Sequence, residues 1–270
     1  MGKTNPVYRL KGAIFGLLLA VLCHGPVSAQ SGPIIAVASN LRFVIEEVAR
    51  SFHDESGMSV RFSFGSSGNL ARQIIQGAPF EMFMSADEGY VFRVSEAGAS
   101  VDQGKIYAVG RIAVYAPKGS PLQQMAFPAD YGGILNKQTA QRFAIANPDL
   151  APYGRAAKQA LVHAGLWQAV RPRLIYGENI SQTAQFILSG STLGGIIAYA
   201  QALASPFKDN GNRLVPRGGD QLVIAASWHQ PIAQRMVLLA RAGETTRRFY
   251  AYLGESKAVA IFRKYGFTVQ

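Results

Sequence analysis

The sequence predicts an α/β protein of two lobes, each a mainly parallel sheet flanked by helices, with a ligand cleft between them. Three observations lead there. Short apolar segments alternate with amphipathic runs, the pattern of strands joined by crossover helices. Two of those segments run straight into small hydroxyl residues that open the next helix, at Ser39-Asn40 and again at Ser66-Ser67. A longer β-rich run at 106–116, broken by Gly110-Arg111, can carry the chain from one lobe to a second, and a strand at 236–240 reads as the return. With 270 residues there is core enough for one large or two ordinary domains. The expected organisation is a leader at 1–29, lobe one at 30–110 and 231–270, and lobe two at 111–230.

The elements follow in order. Pro33 separates the leader from a strand at 34–38. From Leu41 the apolar positions Phe43, Val44, Val48, Ala49 and Phe52 recur at helical spacing, with Arg42, Glu46, Glu47 and Arg50 opposite, and Gly57 closes the helix. A strand at 60–64 precedes a short helix with Leu70, Ile74 and Ile75 on one face and Gly77 as its stop. Ala78-Pro79 resets the chain for a strand at 80–85, and Asp87 begins a helix towards Gly98. Beyond the crossing come a strand at 142–146, an Asn147-Pro148 turn and a helix from Pro152 towards Gly165; Pro152 sits in the first turn, where a missing N–H costs nothing. A strand at 173–176 leads through Asn179, a good N-cap, into a helix at 180–188. A strand at 195–199 and a polar stretch at 205–220 follow. One closing helix is expected over 245–265, with Phe249, Tyr252, Leu253, Val259 and Phe262 inward.

Hydrophobic content of 49% and charged content of 16% describe a globular protein, and its formal net charge is +11. The basic residues are scattered and carry no interleaved aromatics, so the charge reads as a general pull on anions and not as a nucleic-acid surface. Lys3, Arg9 and Lys11 precede an apolar run at 13–23, and Val27-Ser28-Ala29 supplies small residues before a cleavage point, the pattern of a secretory signal peptide. That run is too short to span a bilayer. Removing residues 1–29 takes away those three positive charges and no acid, lowering the charge from +11 to +8. The single cysteine, Cys23, leaves too, and Leu22 before it argues against lipidation. The mature chain then has no thiol, so no disulfide and no cysteine nucleophile, and the expected location is the periplasm.

A helix start presents unpaired N–H groups and the positive end of its dipole, so two starts side by side form a cradle for a small oxyanion. Gly65-Ser66-Ser67-Gly68-Asn69 adds glycines that let the backbone approach a ligand while Ser67 donates. The same segment departs from a nucleophile elbow because Asn69, not glycine, stands two residues after Ser67. A secreted serine hydrolase using Ser67 would need one of His53, His163 or His229 as its base. No His or acid pair shows ligand spacing on one element, no adjacent tyrosine pair suits ferric iron, and no phosphate-loop pattern exists.

Three segments carry a resemblance: 36–41 (Ala-Val-Ala-Ser-Asn-Leu), 64–74 (Phe-Gly-Ser-Ser-Gly-Asn-Leu-Ala-Arg-Gln-Ile) and 77–87 (Gly-Ala-Pro-Phe-Glu-Met-Phe-Met-Ser-Ala-Asp). It continues through Ala116-Pro117, Ala146-Asn147-Pro148, Ala151-Pro152-Tyr153-Gly154, Pro231-Ile232 and Ile261 to Phe267. Over essentially the whole mature chain the sequence resembles the periplasmic molybdate-binding proteins of ABC importers. That resemblance implies a type II periplasmic-binding-protein fold and no enzyme activity. It implies molybdate, with tungstate, held by neutral hydroxyls and backbone amides, with no cofactor and no direct protein ligand to molybdenum. By position it implies Ser39, Asn40 and Ser67 as ligand-binding residues of lobe one, and Tyr153 and the Ile180 N–H of lobe two. A second branch places a tyrosine near Gly195; here Ala198 fills that slot and Tyr199 is displaced by one, which points to packing. The implied partners are a membrane permease and its ATPase, with the binding protein a monomer that takes no nucleic acid. A receptor for another oxyanion such as sulfate would use the same cradle.

Overall fold

The computed structural model describes residues 32–136, 142–205, 207, 213–214 and 223–269; the expected leader and most of the 205–220 stretch lie outside them. The chain opens with β1 (Ile34–Ala38), a 3-10 turn (Ser39–Leu41) and α1 (Arg42–Ser56). β2 (Arg61–Gly65), α2 (Ser67–Ile75), β3 (Met82–Met84), α3 (Gly89–Glu96) and β4 (Lys105–Gly110) follow. Next are β5 (Ile112–Ala116), α4 (Tyr131–Asn136), β6 (Phe143–Ala146), α5 (Pro152–His163), α6 (Trp167–Val170), β7 (Leu174–Gly177) and α7 (Ile180–Leu188). β8 (Gly194–Ala198), α8 (Tyr199–Ala202), β9 (Arg213–Leu214), β10 (Ile232–Leu238), α9 (Glu244–Tyr252) and α10 (Ser256–Lys264) complete it.

Two five-stranded sheets share one plan. The first has the order β2-β1-β3-β10-β4 and the second β7-β6-β8-β5-β9. β1 pairs parallel with β2 and β3, and β6 pairs parallel with β7 and β8. The fourth strand of each sheet, β10 or β5, runs antiparallel to both neighbours. Each opposed strand follows a crossing: β4 ends at Gly110 in the first sheet and β5 begins at Ile112 in the second, and β10 returns to the first sheet after β9 of the second. Alternation divides the first sheet's faces as its period requires. Ile35 and Val37 pack with α1, α9 and α10, whereas Ala36 packs with α2 and α3.

Two expectations need correction. The return strand is not confined to 236–240 but starts at Ile232. Gln234 and Arg235 hid its first half; the structure buries Gln234 in hydrogen bonds and pairs Arg235 with Glu88 at 2.7 Å. The single closing helix is two, α9 and α10, because the chain turns at Gly254 and Glu255 takes an extended conformation. The break shifts the helical phase, so Ala258 is buried and Val259 only half-buried.

α1 and α10 are clamped by Glu47, which accepts from Lys264 Nζ at 2.7 Å and Tyr265 Oη at 2.9 Å. Burial pulls the Glu47 carboxyl up, but those hydrogen bonds, with the charges of Lys264 and Arg50, outweigh it and leave the group below its ordinary 4.5. Its contribution is therefore complete above the unfolded value and is lost as the pH falls through the lowered folded value. Lys264 is largely exposed, so Glu47→Gln should destabilise by no more than about 1 kcal/mol at pH 7. The difference from wild type should shrink between pH 5 and about pH 3, read from urea midpoints at matched pH.

Candidate oxyanion cleft

The five residues singled out from sequence are all buried: Ser39 3%, Asn40 1%, Ser67 1%, Tyr153 2% and Ile180 3% exposed. Each lies where a strand's carboxyl end gives way to a helix, the place at which open parallel sheets bind ligands. Ser39 and Asn40 follow β1, Ser67 opens α2 after β2, Tyr153 is the second residue of α5 after β6, and Ile180 opens α7 after β7. The structure brings the two halves together around them. Asn40 Nδ2 donates to Tyr153 Oη at 3.2 Å, and Ser181 Oγ donates to the Ser39 carbonyl at 3.0 Å. Ala38 and Ala86 of the first half share an apolar cluster with Ala146, Ala151, Tyr153 and Ile180 of the second.

Accounting for the helix-start donors shows which remain unused. At α2, Leu70 N–H bonds the Ser66 carbonyl, Asn69 N–H bonds Ser66 Oγ at 3.4 Å, and Gly68 N–H bonds the Leu150 carbonyl at 3.0 Å. Ser67 N–H is left. At α7, Asn179 Oδ1 accepts from Ser181 and Gln182 at 3.0 and 3.1 Å, and the Asn179 carbonyl accepts from Thr183. Ile180 N–H is left. Ser67 Oγ accepts from Ala86 N–H at 2.9 Å, which orients the hydroxyl and keeps its proton for another acceptor. Burial holds the Tyr153 hydroxyl well above its ordinary pKa, with bonds from Gln234 and Asn40 opposing that, so it stays neutral. N–H groups and a hydroxyl proton at two helix starts can receive an anion with no charged partner.

The halves are also latched around the cleft. Arg155 on α5 pairs with Asp87, Asn69 Nδ2 bonds Glu178, and Tyr90 Oη donates to the Asp149 carbonyl at 3.0 Å. Gly68 belongs to this contact. A Cβ there would stand 2.8 Å from Tyr90 Oη and 2.9 Å from the Leu150 carbonyl. The expectation that Gly68 admits a ligand is thus corrected: the close approach it permits is between the halves of the protein.

Sequence reading missed Ser181, Gln201, Tyr107, Gln234 and the Asp87–Arg155 pair. Gln201 Nε2 donates to Ser181 Oγ at 3.1 Å, and Tyr107 Oη reaches Gln234 Oε1 at 2.9 Å. The available signal was a glutamine, beside Arg235, between apolar residues of one strand. Tyr199 packs against Gly266, where an added Cβ would meet its ring at 2.6 Å. The hydrolase reading finds no support: Ser67 Oγ is engaged by Ala86, while His53 bonds Ser59 and Met58 and His163 stacks on Trp228. Among the described residues no group of three or more His, Cys, Asp or Glu could hold a metal ion.

Comparison with known proteins agrees with this geometry. The model of the bacterial extracellular solute-binding protein family matches residues 34–268. The molybdate-binding protein ModA of Rhodobacter capsulatus is 31% identical over 256 residues, 93% of this chain and 94% of that protein. The periplasmic molybdate-binding protein of Azotobacter vinelandii superposes with a TM-score of 0.74 at 28% identity, over 88% of this chain and 99% of that one. The sulfate-binding protein SubI of Mycobacterium tuberculosis shares the fold, with a TM-score of 0.70 at 13% identity over 88% and 87% of the two chains. With two matched α/β halves closing on unused helix-start donors, the chain belongs to the family of bacterial extracellular solute-binding proteins.

Proposed function

We propose that the protein captures molybdate, and tungstate with it, in the cleft and delivers it to the permease and ATPase of an ABC importer. It works in the periplasm as a monomer, after loss of the 1–29 leader. The ligand-binding residues are Ser39, Asn40, Ser67, Tyr153 and Ile180. The observation that carries the reading is the donor count: once the helix-cap bonds are drawn, the Ser67 and Ile180 N–H groups and the Ser67 hydroxyl proton have no acceptor among the described residues. Relatives named for molybdate, similar over nearly their full length, select the oxyanion.

Neutral donors suit a tetrahedral dianion that must later be released. Hydrogen bonds to a charged group are worth roughly 1.5–3 kcal/mol each, so a handful can support sub-micromolar binding after the costs of closure. A rigid shell discriminates by size, favouring molybdate and tungstate over the smaller sulfate. Phosphate, protonated near neutral pH, would set its hydrogen against a donor.

Calorimetric titration of the ligand-stripped mature protein with molybdate tests this. Tight one-to-one binding that persists in excess sulfate is expected. Because the proposed donors are neutral, the affinity should be equal at pH 6.5 and 8.5. Binding of sulfate in place of molybdate would keep the cradle and replace the named ligand; silence with every oxyanion would overturn the reading.

A further inference from the structure

Asp87 poses an electrostatic problem for an anion site. It follows Ala86, whose N–H donates to Ser67 Oγ at 2.9 Å, so an acid stands one residue from a ligand donor. A carboxylate there repels a dianion, and solvent screens it little, because its side chain is only 19% exposed. The first half holds this carboxylate in place. Its Oδ1 accepts from Tyr90 N–H at 3.1 Å and from Ser85 Oγ at 3.3 Å, which leaves Oδ2 for the second half.

Arg155 meets it there. The residue lies two places after Tyr153, in the turn that opens α5, where a cation opposes the positive end of the helix dipole. Its guanidinium pairs with Asp87 Oδ2 and lies 5.5 Å from the centroid of the Tyr90 ring, and both of these contacts are with the first half. Tyr90 Oη in turn donates to the Asp149 carbonyl at 3.0 Å. The other ion pairs between described residues lie within the first half, as Arg235 with Glu88 and Lys264 with Glu47 do. Among those residues only Arg155 with Asp87 joins the halves. The pair connects the elements of two ligand residues, Ser67 through Ala86 and Tyr153 through the first turn of α5.

We infer that Arg155 is a positioning residue that sets how long the oxyanion stays bound: by pairing with Asp87 it turns an acid that repels the anion into a latch that holds the halves closed on it. This rests on the oxyanion reading above and deepens it with a residue that acts without touching the ligand. The pair forms only as the halves meet. Capture by the open form therefore proceeds without it, whereas release must first break it, so its effect falls on the dissociation rate. Charge cancellation and closure act together, because the acid loses its repulsion only in the form that encloses the anion. Salt screens a partly exposed ion pair, so release quickens as ionic strength rises.

The test measures affinity by calorimetry and release by chasing labelled molybdate with excess unlabelled anion. It compares the mature chain with Arg155→Gln, Asp87→Asn and the double variant. Asn keeps an oxygen for the Tyr90 N–H, so Asp87→Asn spares the start of α3. Each single variant should release molybdate about fivefold faster and the double variant no faster than either, with association changed less than about twofold. The sign in Asp87→Asn is decisive, because removing an acid that only repels would tighten anion binding. Unchanged or tighter binding in Asp87→Asn overturns the inference. So does a slower association in Arg155→Gln that persists in the double variant, since Arg155 would then touch the anion itself. A lowered melting midpoint with release at the wild-type rate would make the pair merely structural and overturn it too. Should a variant fail to fold, wild-type release decides alone: a rate that rises with salt supports the latch, and a salt-independent rate overturns it. All of these outcomes leave the oxyanion reading standing. Where sulfate binds and molybdate does not, labelled sulfate is chased instead and the same outcomes decide. Absence of binding by both would remove both readings.

Discussion

Gly68→Val is expected to weaken oxyanion binding about 100-fold while each half of the protein keeps its fold, because overpacking a tight contact costs about 1–3 kcal/mol. The contact is unusually direct. Gly68 N–H bonds the Leu150 carbonyl at 3.0 Å, and a Cβ at Gly68 would stand 2.9 Å from that carbonyl and 2.8 Å from Tyr90 Oη. A backbone carbonyl cannot swing aside as a flexible side chain can, so the added carbons must separate α2 from the loop before α5. Asp149, which accepts from Tyr90 Oη at 3.0 Å, would separate with it. The ligand binds the closed form, so the closing cost appears in full as lost affinity. Calorimetry gives the affinity, and small-angle scattering should show a larger radius of gyration that only a correspondingly higher molybdate concentration reduces. Unchanged affinity with unchanged scattering would mean that binding does not require this contact.

Ser67→Ala is the second large effect, with binding weakened by about 1–3 kcal/mol for the unmet ligand oxygen alone, or roughly 5–150-fold. The substitution also strips Ala86 N–H of its acceptor. A neighbouring control separates the site from the helix. Ser66 caps α2 through its own hydroxyl, so Ser66→Ala should cost about 1 kcal/mol of stability and little affinity. Opposite results for the two serines, each with affinity and melting midpoint measured, would reassign the donor from Ser67 to Ser66.

Much of the fold was legible because the signals are local. The strand runs at 34–38 and 174–177 and the helix starts at Ser67, Pro152 and Ile180 follow from hydrophobic period, N-cap chemistry and proline's missing donor, each set within a few residues. Where polar residues entered an apolar strand, or a glycine sat inside a helical run, the local signal misled. β10 began four residues earlier than its apolar half suggested, and α9 and α10 parted at Gly254.

By itself, then, the sequence determined two α/β halves, the crossing at Gly110-Arg111, and the small hydroxyl residues waiting at the ends of strands. Only the tertiary structure decided which of those residues face each other. Asn40 meets Gln234 across 194 positions of chain and Tyr153 across 113, and Ser181 reaches the Ser39 carbonyl across 142. It also turned Gly68 from a place of ligand approach into the seam between the halves. The physical reason is the range of each term: capping and periodicity are settled within one turn or one strand. Pairing a buried polar group requires a partner that only the closed, packed chain can bring within about 3 Å.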